Sequence, residues 1–273
     1  MERVTTWAQL HKRVFERPLG FVPTMGALHD GHLALVRASR ERGKTTIASI
    51  FVNPLQFAPH EDLARYPRDI EGDCAKLAAA GADIVYLPSV DEIYPPGFST
   101  TIDVGAIATV YEGAIRPTHF RGVATVVAKL LNTVQPDELF LGQKDAQQTA
   151  VVRTMIRDLR FPVTVRIVPT VRESDGLAMS SRNVYLNSTQ RMQAVGLHAM
   201  LVHVRDAMQR GMSKDDACAA ARGSFVADAV IDYVDVVDAN SFEPIQTLTP
   251  PYFVIGAARF GTTRLLDNVM ELE

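Results

Sequence analysis

The sequence predicts an α/β protein: a doubly wound parallel-sheet domain over residues 1–176 and a smaller α+β lid domain over residues 177–273. Three features carry this reading. Short apolar runs without polar alternation recur along the first two-thirds, as strands covered on both faces require. Stretches with the apolar period of a helix separate them, so strand and helix alternate as in parallel βαβ units. Beyond residue 187 the order changes to helices followed by strands, the pattern of a separate α+β domain.

Taken in order, residues 20–22 read as a strand, and Gly26 and Gly31 punctuate the turn after it. A helix is expected over residues 32–42, with Gly43 where a C-cap favours glycine. A strand over 46–52 follows, then a helix over 62–80 ended by Gly81, and a strand over 83–87. Helices over 122–134 and 145–159 alternate with strands over 138–141 and 163–168. In such a Rossmann-like sheet, ligands sit beyond the carboxyl ends of the strands. The turn after the first strand, Asn53 and Gly142 all fall at that edge. Residues 172–187 are polar and contain Asp175-Gly176 and Ser180-Ser181. A long helix over 188–210, capped by Asn187 or Ser188, precedes a second helix begun at Ser213, where Asp216 completes a weak capping box. Strands over 231–237, 252–260 and 263–266 close the chain, the last two joined at Gly261-Thr262.

Composition narrows the function classes. With 47% hydrophobic and 22% charged residues, the chain has the make-up of an ordinary globular protein. A net charge of -3 gives no basic stripe for nucleic acid, so no nucleic-acid partner is expected. Cys74 and Cys218 stand far apart in no metal-like spacing, which suits free thiols in a reducing cytoplasm. No apolar segment follows Met1 and no window is long enough to span a bilayer, so neither a secretory leader nor a membrane partner is expected.

Four segments carry chemistry. In Gly20-Phe-Val-Pro-Thr-Met-Gly-Ala-Leu-His-Asp-Gly-His32, a strand leads through glycines to two histidines at the mouth of a helix. A helix N-terminus offers unpaired N–H groups and partial positive charge, a natural phosphate site. His29 and His32, three apart, point to one side and can donate to phosphoryl oxygens. A metal pair or surface histidines would be the plain alternative. Gly142-Gln-Lys-Asp-Ala-Gln-Gln148 again joins a strand end to a helix start. Lys144 can neutralise a phosphate, Asp145 can accept from ribose, and Gln148, four residues beyond Lys144 on one helical face, can bind hydroxyl or carboxylate groups. A turn with solvated charges is the competing reading. Met179-Ser-Ser-Arg182 sets two hydroxyls before a guanidinium, which suits a polyphosphate on a closing loop, or forms a hydrophilic linker. Phe51-Val-Asn-Pro-Leu-Gln-Phe57 places the neutral amides of Asn53 and Gln56 after a strand, or marks only an Asn-Pro turn. His119 precedes a helix and is a lesser candidate; His11, His60, His198 and His203 read as surface or packing residues.

Together these segments resemble the pantothenate synthetase family, the pantoate–β-alanine ligases. The resemblance spans nearly the whole chain and adds Tyr66-Pro-Arg68, His119-Phe-Arg-Gly122, Asp175-Gly-Leu-Ala-Met-Ser-Ser-Arg-Asn183 and Gly261-Thr-Thr-Arg-Leu-Leu-Asp-Asn268. The order and spacing of these motifs make the match specific. It implies that ATP, (R)-pantoate and β-alanine give pantothenate, AMP and pyrophosphate through a pantoyl adenylate. It implies an ATP site lined by Met25, Gly26, Ala27, Leu28, His29, Asp30, Gly31 and His32, with His32 a candidate proton donor. Gly142, Gln143, Lys144 and Asp145 would hold ribose and phosphates, Val171 would present its backbone to adenine, and Met179, Ser180, Ser181 and Arg182 would close over the phosphates. Gln56 would contact pantoate and β-alanine, and Gln148 pantoate. His29, His32, Lys144, Ser180, Ser181 and Arg182 form the implied catalytic set. Relatives imply a homodimer joined through the larger domain, and Mg2+ accompanying ATP.

The chain departs from the family at Leu141 and Ala146, where bulkier aromatics are common. The segment Asp69-Ile-Glu-Gly-Asp-Cys74 names no protein ligands for Mg2+, which phosphates and water are expected to hold. No residue presents itself as the base for the β-alanine amine. Two rival readings stand: a nucleotidyltransferase of the same superfamily acting on a phosphate acceptor, and a non-catalytic nucleotide sensor. The paired glutamines favour a small polyhydroxy acid over the first, and retention of Lys144, both histidines and Arg182 counts against the second.

Overall fold

Alternating apolar side chains on parallel strands organise the first unit of the computed structural model, which describes residues 1–43, 45–58, 63–225 and 228–271. Six strands, β1 (Glu2–Val4), β2 (Leu19–Thr24), β3 (Thr45–Ile50), β4 (Ile84–Tyr86), β5 (Glu138–Gly142) and β6 (Thr164–Val168), pair in parallel in the order β1-β4-β3-β2-β5-β6. The helices are α1 (Trp7–His11), α2 (Asp30–Arg42), α3 (Ile70–Ala80), α4 (Val90–Ile93), α5 (Glu112–Ile115), α6 (His119–Val134) and α7 (Ala146–Asp158).

Successive strand residues point to opposite faces. Phe21, Ile47, Ile84 and Leu139 join a core with α1, α6 and α7, whereas Val22, Ala48, Val85 and Phe140 join one with α2 and α3. Both faces are therefore covered, as the unalternated runs predicted. From β2 the chain proceeds through α2 to β3, while β5 pairs on the other side of β2 (Phe21 opposite Leu139). That reversal is a topological switch point, and it lies at the ends of β2 and β5.

Contact density divides the chain into Met1–Gly142 with Val151–Val168, and Gln143–Ala150 with Pro169–Glu273. The second unit holds α8 (Ser188–Ala194), α9 (Gly196–Gln209), α10 (Lys214–Gly223) and an antiparallel sheet of β7 (Ala229–Asp238), β8 (Tyr252–Phe260) and β9 (Thr263–Glu271), with β8 central. Leu197, Leu201 and Val204 of α9 pack with Val234, Val254, Ala258 and Val269 of that sheet.

Several boundaries move. α2 starts at Asp30 rather than His32, because His29 and His32 cap it. The helix expected over 62–80 begins at Ile70, capped by Asp69, after a single 3-10 turn over Leu63–Arg65; Asp62 and His60 lie outside the described residues. β1, too short to signal itself, was not anticipated. The helix expected over 188–210 breaks at Val195, and Asn187 is its N-cap. Gly81 caps α3 in the left-handed region (φ 97°), whereas Gly43 ends α2 extended (φ -105°), where a Cβ would stand 3.0 Å from the Pro18 carbonyl oxygen. No described helix is long and apolar enough to cross a membrane.

Candidate active site

In the first unit, the turn leaving β2 takes left-handed backbone at Gly26 (φ 81°) and Ala27 (φ 52°). A Cβ on Gly26 would approach Asp73 Oδ2 to 3.0 Å and Ile50 Cγ2 to 3.1 Å. Asp73, a buried carboxylate on α3, holds the turn: it accepts from Ala27 N at 2.7 Å and Leu28 N at 2.9 Å. Lys76 Nζ donates to the Leu28 carbonyl at 2.9 Å and stands 3.5 Å from Asp73, adding countercharge.

His29 is the N-cap of α2 and His32 its third helical residue. His29 Nδ1 accepts from Gly31 N at 3.2 Å, and His32 Nδ1 accepts from His29 N at 3.4 Å. The two imidazoles thus form a reciprocal capping box, a task usually given to Ser or Thr with Glu or Gln. Accepting at Nδ1 places the proton of each neutral ring on Nε2. The ring centroids lie 4.2 Å apart, so the two side chains do share one side of the helix mouth. The structure corrects one expectation here. The amides of Ala27, Leu28, Gly31 and His32 are bonded to Asp73 or His29 rather than left open. Cap-competent side chains saturate orphan amides wherever they are within reach. What this terminus presents is imidazole N–H and helix dipole more than bare backbone.

Gln56 lies in the same unit, in a 3-10 turn over Pro54–Gln56. It is buried, and its Nε2 donates to Met25 Sδ at 2.8 Å, which joins the predicted substrate residue to the predicted ATP loop. Asn53 Nδ2 donates to Gln56 Oε1 and to the Gly122 carbonyl, both at 3.1 Å. Asn53 Oδ1 accepts from Tyr94 Oη at 2.7 Å and Leu55 N at 3.3 Å. Burial pushes the Tyr94 phenol far above its ordinary pKa, so it remains a donor. His119, read from sequence only as a lesser candidate, is buried and bonds the Gln56 carbonyl through Nδ1 at 3.0 Å.

In the second unit, Gln143, Lys144 and Asp145 form the turn before α7. Lys144 therefore precedes the helix and does not share a helical face with Gln148, contrary to the spacing argument. Lys144 Nζ stands 3.5 Å from Asp145 Oδ1. Asn268, buried on β9, pins this turn: its Nδ2 donates to the carbonyls of Gln143 and Lys144, each at 2.9 Å, and its Oδ1 accepts from Gln143 Nε2 at 3.0 Å. Its neighbour Asp267 binds the Arg172 guanidinium at 2.7 and 3.0 Å. Arg172 opens a narrow hairpin in which Met179 N donates to the Val171 carbonyl at 3.0 Å. Ser180 then caps a 3-10 helix over Ser181–Tyr185, its Oγ accepting from Arg182 N at 3.3 Å, and Arg182 is exposed. Asn183 donates to Glu173 Oε1 at 2.8 Å and to the Ala178 carbonyl at 3.1 Å, tying this loop to the hairpin. Among the described residues, no group of three or more His, Cys, Asp or Glu side chains is arranged to hold a metal ion.

Asp73, Tyr94, Asp267 and Asn268 escaped the sequence reading as site residues. Asp73 left a trace, a carboxylate four residues before Leu77 on the apolar face of α3. Asp267-Asn268 left another, two polar residues set between the apolar pairs Leu265-Leu266 and Val269-Met270. Tyr94 left none.

In the first unit a strand-turn-helix with paired imidazoles stands at a topological switch point, the place where α/β enzymes of the Rossmann-like class bind ligands. The profile of the family "Pantoate-beta-alanine ligase" matches residues 1–270, and the chain belongs to that family. Pantothenate synthetase of Acidiphilium cryptum (strain JF-5) is 51% identical over 252 residues, covering 92% of this chain and 91% of the relative. The crystal structure of pantothenate synthetase from Thermus thermophilus superposes with a TM-score of 0.95 at 46% identity, covering 100% of both chains. The Francisella tularensis pantoate-β-alanine ligase, complexed with β-γ ATP and β-alanine, gives a TM-score of 0.80 at 32% identity, covering 99% of this chain and 97% of that one.

Proposed function

We propose that this chain condenses (R)-pantoate with β-alanine at the expense of ATP, forming pantothenate, AMP and pyrophosphate through an enzyme-bound pantoyl adenylate. One observation carries the reading: the family match runs over residues 1–270 and takes in both the imidazole pair and the Lys144 turn. A carboxylate is a poor acyl donor, so it first attacks the α-phosphorus. A carboxylate oxygen–phosphorus bond forms, the bond to the bridging oxygen breaks, and pyrophosphate leaves. The attacking group is already anionic and needs no base. Positioning and charge neutralisation are what the step requires.

His29 and His32 donate from Nε2 to phosphoryl oxygens, with His32 the proton donor, and Met25 to Leu28 and Asp30-Gly31 line the nucleotide. Gly142, Gln143, Lys144 and Asp145 hold ribose and phosphates. Val171 meets adenine, and Met179, Ser180, Ser181 and Arg182 act on the phosphates. Gln56 and Gln148 bind pantoate, Gln56 also β-alanine. In the second step the unprotonated amine attacks the acyl carbon, the carbon–nitrogen bond forms, AMP departs, and the amine's proton is released. ATP enters with Mg2+ as substrate, the ion carried by phosphate and water oxygens. The family resemblance further implies a cytoplasmic homodimer.

The test is ATP–pyrophosphate exchange. It should require pantoate and proceed without β-alanine. Exchange without any acid, or only with a phosphate acceptor, would overturn the ligase reading in favour of a nucleotidyltransferase. ATP binding with no AMP release under any substrate mixture would point to a sensor, an outcome the family match does not favour.

A further inference from the structure

The network behind Gln56 has a defined direction. The Leu55 amide can only donate, so the Asn53 atom 3.3 Å from it is the oxygen. The Gly122 carbonyl can only accept, so the Asn53 atom 3.1 Å from it is the nitrogen. That nitrogen's second proton meets Gln56 at 3.1 Å, which requires the glutamine oxygen to face inward. The Gln56 NH2 therefore lies on the other side, where the thioether of Met25, a weak acceptor, stands at 2.8 Å.

The backbone of Gln56 is held as well. Its carbonyl accepts from His119 Nδ1 at 3.0 Å and Arg116 Nη2 at 3.3 Å. A Cβ at Gly122 would come within 2.3 Å of the Leu55 carbonyl oxygen and 2.6 Å of Gln56 N, so α6 packs directly on this turn. With the main chain pinned, the orientation of the carboxamide is the remaining variable. The shortest bond in the relay that sets it is Tyr94 Oη to Asn53 Oδ1, at 2.7 Å. The Tyr94 ring is itself seated between Phe51 and Phe98, with centroids 6.0 and 5.0 Å away.

We propose that Tyr94 is a positioning residue for the acid substrate: through Asn53 it orients Gln56 so that the carboxamide meets pantoate as a hydrogen-bond donor. This rests on the reading of Gln56 as a pantoate contact. The carboxylate of an anionic acid can only accept hydrogen bonds, so it is met well by N–H and poorly by C=O. An inverted Gln56 would turn its oxygen on the substrate and repel it.

The experiment is a double-mutant cycle of Tyr94→Phe and Gln56→Ala, read as KM for pantoate and KM for ATP in pyrophosphate exchange. Tyr94→Phe keeps the ring packing, and a loss of folded enzyme would lower kcat without moving KM. The expected result is a rise of about three- to tenfold in KM for pantoate, the scale of one buried neutral hydrogen bond, with KM for ATP unmoved. In the Gln56→Ala background, Tyr94→Phe should add nothing. The relay is overturned if Gln56→Ala raises the pantoate KM and Tyr94→Phe does not. It is equally overturned if Tyr94→Phe raises both constants together or keeps its effect without Gln56. A Gln56→Ala enzyme with an unchanged pantoate KM would sink the assignment of Gln56 itself, and the relay with it.

Discussion

Replacing Asp73 by Asn tests whether a buried carboxylate, rather than local backbone preference, shapes the turn proposed to bind ATP. Both Asp73 oxygens accept main-chain N–H, at 2.7 Å from Ala27 and 2.9 Å from Leu28. Asparagine retains one acceptor and aims an NH2 at the other amide. One charge-assisted bond is lost and the other becomes neutral, a change of about 2–4 kcal/mol in total. The turn opposes this clamp with a non-glycine residue in left-handed backbone, Ala27 at φ 52°. That conformation costs about 1–2 kcal/mol, so a weakened clamp lets the turn relax. KM for ATP should rise about 10- to 100-fold, while KM for pantoate changes little. The assay is pyrophosphate exchange with ATP varied at saturating pantoate, alongside thermal melting to follow the folded population. A KM for ATP within about twofold of wild type would falsify the clamp, because an intact turn would then need no carboxylate.

Other outcomes follow from the same geometry. His32→Ala should slow adenylate formation by about two powers of ten, the scale of losing one transition-state donor at about 3 kcal/mol; near-normal single-turnover rates would remove this imidazole from the mechanism. Asn268→Ala strips the acceptors Gln143 O and Lys144 O of their shared donor, so ATP binding should weaken by about tenfold or more, measurable by calorimetry, with the imidazole turn unaffected. For His198, burial lowers the pKa below its ordinary 6.5, Asp267 opposes that shift, and Arg172 and Arg205 add to it. The unfolded chain therefore takes up a proton before the folded one does. This contribution to stability is present above about pH 6.5 and is lost as pH falls through the folded value. His198→Gln should flatten denaturant stability across that window, and an unchanged slope would place the pH dependence elsewhere.

The parallel sheet was legible because burial on both faces leaves a mark in composition. Thr45–Ile50 and Glu138–Gly142 carry almost no polar alternation. Helix ends were legible where one residue type does one job, as Gly81 does in left-handed backbone and Ser213 does as an N-cap. The break at Val195 was not, since helical apolar periodicity runs through it. Residue types and their spacing singled out the imidazole pair, Lys144 and Gln56 as candidates, because few side chains suit phosphate and hydroxy-acid binding.

What holds those groups was invisible along the chain. Asp73 reaches back 46 residues to Ala27, and Asn268 reaches 124 residues to Lys144. An amide's hydrogen-bonding partner depends on which distant side chain folding brings to it, and no local pattern encodes that. The sequence by itself determined the alternation of strand and helix and named the candidate side chains. Only the tertiary structure decided that His29 and His32 cap their own helix and that Asp73 takes the neighbouring amides. It alone showed that Asn53 holds the Gln56 oxygen and leaves the amide nitrogen toward Met25, because hydrogen-bond direction is a property of assembled donors and acceptors in space.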